Sequence, residues 1–125
     1  MTIFVFGNPD IKEDSLPIKI LPELKKIFPD IEFKIKDPNE EWNLPEELII
    51  IDTAVGINNM KIFNSLNEFA KTPRVSVHDF DALTQLRILQ KLGKLKKIKI
   101  IGVPPMISEE KAIEEISTIL RSNKL

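Results

Sequence analysis

Short apolar runs in this chain alternate with longer segments whose apolar residues recur every three or four positions. Thr2–Phe6 and Leu48–Ile51 are unbroken apolar runs, which is typical of strands buried in a sheet. Ile31–Lys36 alternates apolar and charged residues, as a strand with one solvated face does. The strands that these patterns predict are Thr2–Phe6, Ile31–Lys36, Leu48–Ile51, Met60–Phe63, Val75–Val77 and Lys97–Val103.

Helical spacing of apolar residues predicts three helices between and after these strands. The first runs from about Ser15 to Ile27, the second ends at Gly93, and the third begins after Ser108. Ser15 and Ser108 are suitable N-caps, and Pro22 is expected to kink the first helix or delay its regular start. The apolar stripes consist of Leu16, Ile20, Leu24 and Ile27; of Phe80, Leu83, Leu86, Leu89 and Leu92; and of Ala112, Ile113, Ile116, Ile119 and Leu120.

The order of strands and helices predicts the α/β class. We expect a three-layer α/β/α sandwich around a mainly parallel, twisted sheet of roughly five strands. The 125 residues contain no repeat and no linker-like segment, so residues 1–125 are predicted to form a single domain.

Composition excludes several classes of function. The chain has no cysteine, which rules out disulfides, thiolate metal sites and a cysteine nucleophile. Its formal net charge of -1 gives no reason to expect a nucleic-acid partner or an anionic membrane surface. The apolar runs are far shorter than the ~20 residues of a membrane helix, and the N-terminus has no basic signal-peptide region. These features predict a cytoplasmic protein without membrane insertion.

Three of the apolar runs lead to a potential metal ligand. Asp14 follows the first run, with Glu13 as an adjacent alternative; Asp52 follows the central run; and His78 follows Val75–Val77. Parallel strands share their carboxyl edge, so two carboxylates and one imidazole would converge there, a set that suits nickel, zinc, iron or manganese. The structural alternatives are a helix-dipole acid at Asp14, an Asx turn at Asp52 and a helix cap at His78.

Four segments together resemble the nickel–iron hydrogenase maturation endopeptidases. Phe6-Gly7-Asn8-Pro9 followed by Glu13-Asp14 is similar to the opening of that family, where a strand leads into Gly-Asn and then an acidic residue. Leu48–Ala54 resembles its apolar strand ending in Asp, and Val75–His78 its short strand ending in histidine. Ile100–Pro105 resembles its late strand ending in a Gly-x-x-Pro turn. The matches occur in family order.

The resemblance implies an enzyme that removes the C-terminal extension of a hydrogenase large-subunit precursor after nickel insertion. The implied catalytic and nickel-binding residues are Asp14, Asp52 and His78. Residues expected to orient the substrate are Gly7, Asn8 and Glu13. The resemblance further implies that the nickel is supplied by the substrate subunit, with zinc or another divalent ion as a surrogate. Metal-assisted attack by water is the implied chemistry, since the family has no serine or cysteine nucleophile.

One departure from the family pattern supports a second hypothesis. Where family members have glycines after the acidic pair, this chain has Ser15-Leu16-Pro17. A first loop of different shape is compatible with a non-catalytic paralogue that binds the metal or the partner protein without cleaving it. A nucleotide-binding domain is a weaker alternative, because Gly7-Asn8-Pro9 lacks the repeated glycines of a phosphate-binding loop.

Overall fold

The computed structural model describes residues 1–37, 42–73 and 77–122, with the side chains of residues 77–80 outside the description. The strands are β1 (Thr2–Val5), β2 (Glu32–Ile35), β3 (Glu47–Thr53), β4 (Lys61–Phe63) and β5 (Lys97–Val103). The helices are α1 (Leu16–Ile27), α2 (Leu66–Ala70), α3 (Val77–Lys91) and α4 (Glu109–Arg121), and a 3-10 turn occupies Lys12–Asp14. No helix in the described ranges is both long and apolar enough to cross a membrane.

The five strands form one sheet in the order β2-β1-β3-β5-β4. β1, β2, β3 and β5 are parallel, whereas β4 pairs with β5 antiparallel at one edge of the sheet. The predicted mainly parallel, five-stranded α/β sandwich is therefore confirmed. The antiparallel direction of β4 follows from its short connection to β3, which leaves no room for the crossover that a parallel neighbour needs.

Each face of the sheet carries its own apolar core. Leu48 and Ile50 of β3 point toward α2 and α3, and Ile49 and Ile51 point toward α1 and α4. All four side chains are less than 10% exposed, as expected for the central strand of a sheet covered on both faces. Asp52, the next-to-last residue of β3, continues the alternation and therefore lies on the α3 side of the sheet.

Of the two N-caps predicted from the sequence, the structure contains the one at Ser108 but not the one at Ser15. Ser108 accepts a hydrogen bond from the Lys111 N–H at 3.1 Å, so the predicted cap of α4 is confirmed. Ser15 does not cap α1; its hydroxyl donates instead to the Lys12 carbonyl at 3.0 Å, because the 3-10 turn brings that oxygen within reach. Pro22 lies on the exposed side of α1, which begins at Leu16 without delay.

The prediction of a strand at Val75–Val77 is wrong at its last residue. Val77 is the first residue of α3, and residues 75 and 76 lie outside the described part of the chain. The apolar stripe of α3 extends the helix toward its N-terminus, and a run of three residues is too short to compete with it. Gly93 ends the helical region with a φ of 73°, as predicted.

Candidate functional site

Asp52 occupies the carboxyl end of the central strand and is almost completely enclosed. Its side chain is 3% exposed, and its Oδ1 accepts a hydrogen bond from the Thr53 N–H at 2.8 Å. Gly102 of β5 is its register partner. A Cβ at Gly102 would lie 2.6 Å from Cε2 of Phe63, so the absence of a side chain there lets the Phe63 ring pack close to the end of the strand.

A small cavity adjoins Asp52 on the α3 side of the sheet. Its volume is about 10 Å³, room for about one water molecule. Among the residues whose side chains are described, Asp52 is the one polar residue in its lining; the others include Phe6 of the first loop, Phe69 of α2, and Ala82 and Leu86 of α3. The carboxylate is thus largely shielded from bulk water, and electrostatic interactions with an incoming group are stronger there than in water.

Asp14 lies at the same edge of the sheet and is completely buried, whereas its neighbour Glu13 is exposed. The 3-10 turn produces this difference, because it directs consecutive side chains to different sides. The Asn8 N–H donates to the Asp14 carbonyl at 2.9 Å. This hydrogen bond fixes the Asp14 backbone to the loop that follows β1. Of the two acids that the sequence left open, burial favours Asp14 as the functional one.

Gly7 and Asn8 shape the loop that holds Asp14. A Cβ at Gly7 would lie 2.9 Å from the Asp14 carbonyl oxygen and 3.0 Å from Cγ1 of Ile18, so the close approach of the two segments requires glycine. The Asn8 Oδ1 accepts a hydrogen bond from the Asp10 N–H at 3.0 Å, as in an Asx turn. The structure therefore gives both residues a role in loop geometry, and their predicted contact with substrate stays a prediction.

We expect Gly7→Ala to destabilise the protein by about 1–3 kcal/mol, because the new methyl group must displace the Asp14 backbone or the Ile18 side chain. The same displacement moves the Asp14 carboxylate. Urea denaturation gives the free energy of unfolding. Gly93→Ala is an informative comparison, since its added Cβ meets no atom within 4 Å and its cost arises only from the φ of 73°. Equal stability of Gly7→Ala and the unmodified protein would show that the loop does not depend on this contact.

His78 lies in the first turn of α3, and its side chain is outside the described atoms. The helix must begin at the carboxyl edge of the sheet, because it leads into β5, which starts at the amino edge. Residue 78 precedes Ala82 by one helical turn, and Ala82 lines the cavity beside Asp52. The backbone therefore places residue 78 at the same edge as Asp14 and Asp52, in a helix rather than at the end of a strand.

The described residues can supply part of a metal site. Within residues 1–37, 42–73 and 81–122, no three His, Cys, Asp or Glu side chains are grouped closely enough to hold a metal ion. Asp14 and Asp52 are nevertheless two buried carboxylates at one edge of a parallel sheet. Buried carboxylates are paired, hydrogen-bonded or coordinated to a metal, and such groups are concentrated at functional sites. Carboxylate oxygens also suit the divalent ions that the sequence predicts.

Comparison with solved structures identifies the fold around this edge. The hydrogenase maturating endopeptidase HybD from Escherichia coli matches with a TM-score of 0.68 and 21% sequence identity, over 98% of this chain and 94% of that chain. The chain has the fold of a hydrogenase maturation endopeptidase. The solution structure of an endopeptidase from Escherichia coli matches with a TM-score of 0.67 and 23% identity, over 100% of this chain and 95% of that chain.

The match to the hydrogenase maturation endopeptidase fold spans nearly the whole of each chain. The sequence itself matches no protein-family model and no curated protein. The resemblance in the four sequence segments is therefore supported by the shared fold, while the roles of the individual residues stay predictions.

Proposed function

We propose that this protein is an endopeptidase that removes the C-terminal extension of a nickel–iron hydrogenase large-subunit precursor after nickel has been inserted. The observation that carries the proposal is the pair of buried carboxylates, Asp14 and Asp52, at the carboxyl edge of a fold shared with HybD. In open α/β sheets this edge is where ligands bind. The lack of cysteine is consistent with hydrolysis by water rather than by a thiol nucleophile.

Nickel in this proposal belongs to the substrate. The precursor presents the ion, and Asp14, Asp52 and His78 recognise it when the precursor docks at the carboxyl edge of the sheet. Two carboxylates and an imidazole form a donor set that suits nickel, and zinc is a plausible surrogate. A nickel ion beside the scissile peptide is a Lewis acid that polarises the carbonyl group. Recognition of the ion would make cleavage conditional on complete metal insertion.

The residues of this chain have separate roles in the proposal. The Thr53 N–H donates to one oxygen of Asp52 and so helps to orient the carboxylate, whose proposed role is to contact the ion or the attacking water. Asp14 is held by the 3-10 turn and the Asn8 N–H at a fixed distance from the end of β1. Such fixed positions lower the cost of arranging the reacting groups. We propose that the reaction takes place in the cytoplasm.

A non-catalytic paralogue is the second candidate, and the start of α1 favours it. Leu16 and Pro17, which replace the glycines of the family pattern, are both buried in the first turn of α1 directly after Asp14. This rigid helix start leaves less freedom in the first loop than glycines would allow. A protein of this kind would bind the nickel-loaded precursor without cutting it.

Expression in a hydrogenase-producing strain that lacks its own maturation endopeptidase distinguishes the two candidates. The matching large-subunit precursor is expressed in the same cells, and its size is followed on denaturing gels. We expect the precursor to be shortened in cells grown with nickel and to stay full-length in cells without nickel. A precursor that co-purifies with this protein and keeps its full length in the presence of nickel would support the non-catalytic paralogue instead.

A further inference from the structure

β2 is an edge strand whose outer side faces no strand in the described part of the chain. The Glu32 N–H donates to the Met1 carbonyl at 3.0 Å, and the Lys36 N–H donates to the Val5 carbonyl at 3.1 Å. Backbone groups of consecutive residues in a strand point to opposite sides. The N–H and C=O groups of Phe33 and Ile35 are therefore directed away from β1, toward the open side of the sheet.

The side chains of β2 leave an apolar residue uncovered at this edge. Phe33 and Ile35 lie on the same face of the sheet as Ile3 and Val5, to which they are register partners. Phe33 is 6% exposed beneath α1, but Ile35 is 52% exposed. A further strand beside β2 would cover Ile35 on its open side, which the sheet of a single protomer cannot do.

The sequence of β2 is complementary to itself in one antiparallel register. A two-fold axis at Phe33 places Glu32 of each copy opposite Lys34 of the other copy on one face, which gives two pairs of opposite charge. The same register places Ile31 opposite Ile35 on the α1 face. An axis at Glu32 or at Lys34 instead brings two like charges directly opposite each other, which is destabilising. The register centred on Phe33 is thus the one that the charges select.

We propose that the outer edge of β2 is a dimerisation surface on which a second copy of this chain adds its own β2 antiparallel. The two Phe33 residues then exchange both of their backbone hydrogen bonds. The Ile35 N–H of each protomer donates to the Ile31 carbonyl of the other protomer, and the two sheets become continuous. The Ile31 N–H takes no part in this pairing, because it already donates to the Phe28 carbonyl of its own chain at 3.1 Å.

Charge explains why a second copy is a better occupant than an unrelated strand. Lys34 Nζ lies 3.2 Å from Glu32 Oε1 within the strand, and both side chains are about half exposed or more. Such exposed ion pairs contribute little to stability and are readily exchanged for cross-strand pairs. Charged residues usually protect an edge strand from pairing. Here their order places opposite charges together when an identical strand pairs in the register centred on Phe33.

Sedimentation equilibrium of the purified protein tests the proposal. We expect a reversible monomer–dimer equilibrium. Lys34→Glu and Glu32→Lys should each weaken the dimer about tenfold or more, because each replaces two attractive cross-strand pairs with two repulsive ones. The double variant carrying both substitutions should regain the original affinity. An equimolar mixture of the two single variants should also dimerise, since each then supplies the charge that the other lacks.

Lys61→Glu is the matched control, because Lys61 is an exposed lysine on the opposite edge strand, β4. It should leave the dimer affinity unchanged. Hydrogen exchange gives an independent result: the amide protons of Phe33 and Ile35 should become protected as protein concentration rises. A monomer at all concentrations would overturn the proposal. So would a dimer that Lys34→Glu does not weaken, or one whose protected amides lie outside β2, even if the protein cleaves the hydrogenase precursor.

Discussion

Asp52→Asn is expected to reduce precursor cleavage by at least about a hundredfold while leaving the fold intact. The asparagine keeps an oxygen that can accept the Thr53 N–H, so the local geometry of the strand end is preserved. The negative charge is lost, and with it the ability to bind a cation or to accept a proton from water. Initial rates of precursor shortening at fixed enzyme concentration measure the effect.

The stability of the Asp52→Asn variant should be equal to that of the unmodified protein or higher. A neutral amide costs less free energy to enclose than a carboxylate, and Asp52 is 3% exposed. Asp10→Asn is the control, because Asp10 is an exposed acid in the first loop; its cleavage rate should change by less than about twofold. If Asp52→Asn cleaves the precursor at close to the unmodified rate, Asp52 has no catalytic or metal-binding role.

The second large effect is expected at Asp14, and the neighbouring Glu13 supplies its matched control. Asp14→Asn should reduce cleavage by about a hundredfold or more, because the fully buried carboxylate is the one held at the edge of the sheet. Glu13→Gln should retain activity within about twofold, since the Glu13 side chain is exposed. Both substitutions remove one negative charge, so the comparison cancels any effect of net charge.

The opposite result for this pair would change the assignment of the ligand. If Glu13→Gln abolishes cleavage and Asp14→Asn does not, the loop must rearrange when the precursor binds, and the buried position of Asp14 would then be structural. Circular dichroism and thermal unfolding of both variants show whether the fold is kept. A loss of activity that accompanies unfolding of Asp14→Asn would count against a catalytic role, because the fold alone would explain it.

The sheet could be predicted from the sequence to within a residue or two at most strands. The apolar run of β3 and the apolar second half of β5 are covered on both faces, which favours the centre of a parallel sheet for both strands. The antiparallel pairing of β4 was not predicted, because three residues, Lys61–Phe63, carry no information about direction. Strand order depends on how α1, α3 and α4 cover the two faces, which is a tertiary property.

The candidate site was predicted less completely than the sheet. Asp52 could be placed because its strand is long and apolar. Spacing from Gly7-Asn8 favours Asp14 over Glu13, but the sequence leaves the choice open, since adjacent residues differ only in the direction that the 3-10 turn gives them. His78 was expected at a strand end but lies in the first turn of α3. The three residues before it, Val75-Ser76-Val77, fit a strand and a helix start equally well.

Intact-mass spectrometry of the precursor tests the proposed function most directly. A purified, nickel-loaded large-subunit precursor is incubated with the purified protein, and the mass of the precursor is recorded over time. The proposed function predicts the loss of one C-terminal peptide, a single new mass for the large subunit, and no such loss with the Asp52→Asn variant or with nickel-free precursor. An unchanged precursor mass, under conditions in which the two proteins form a complex, would contradict it.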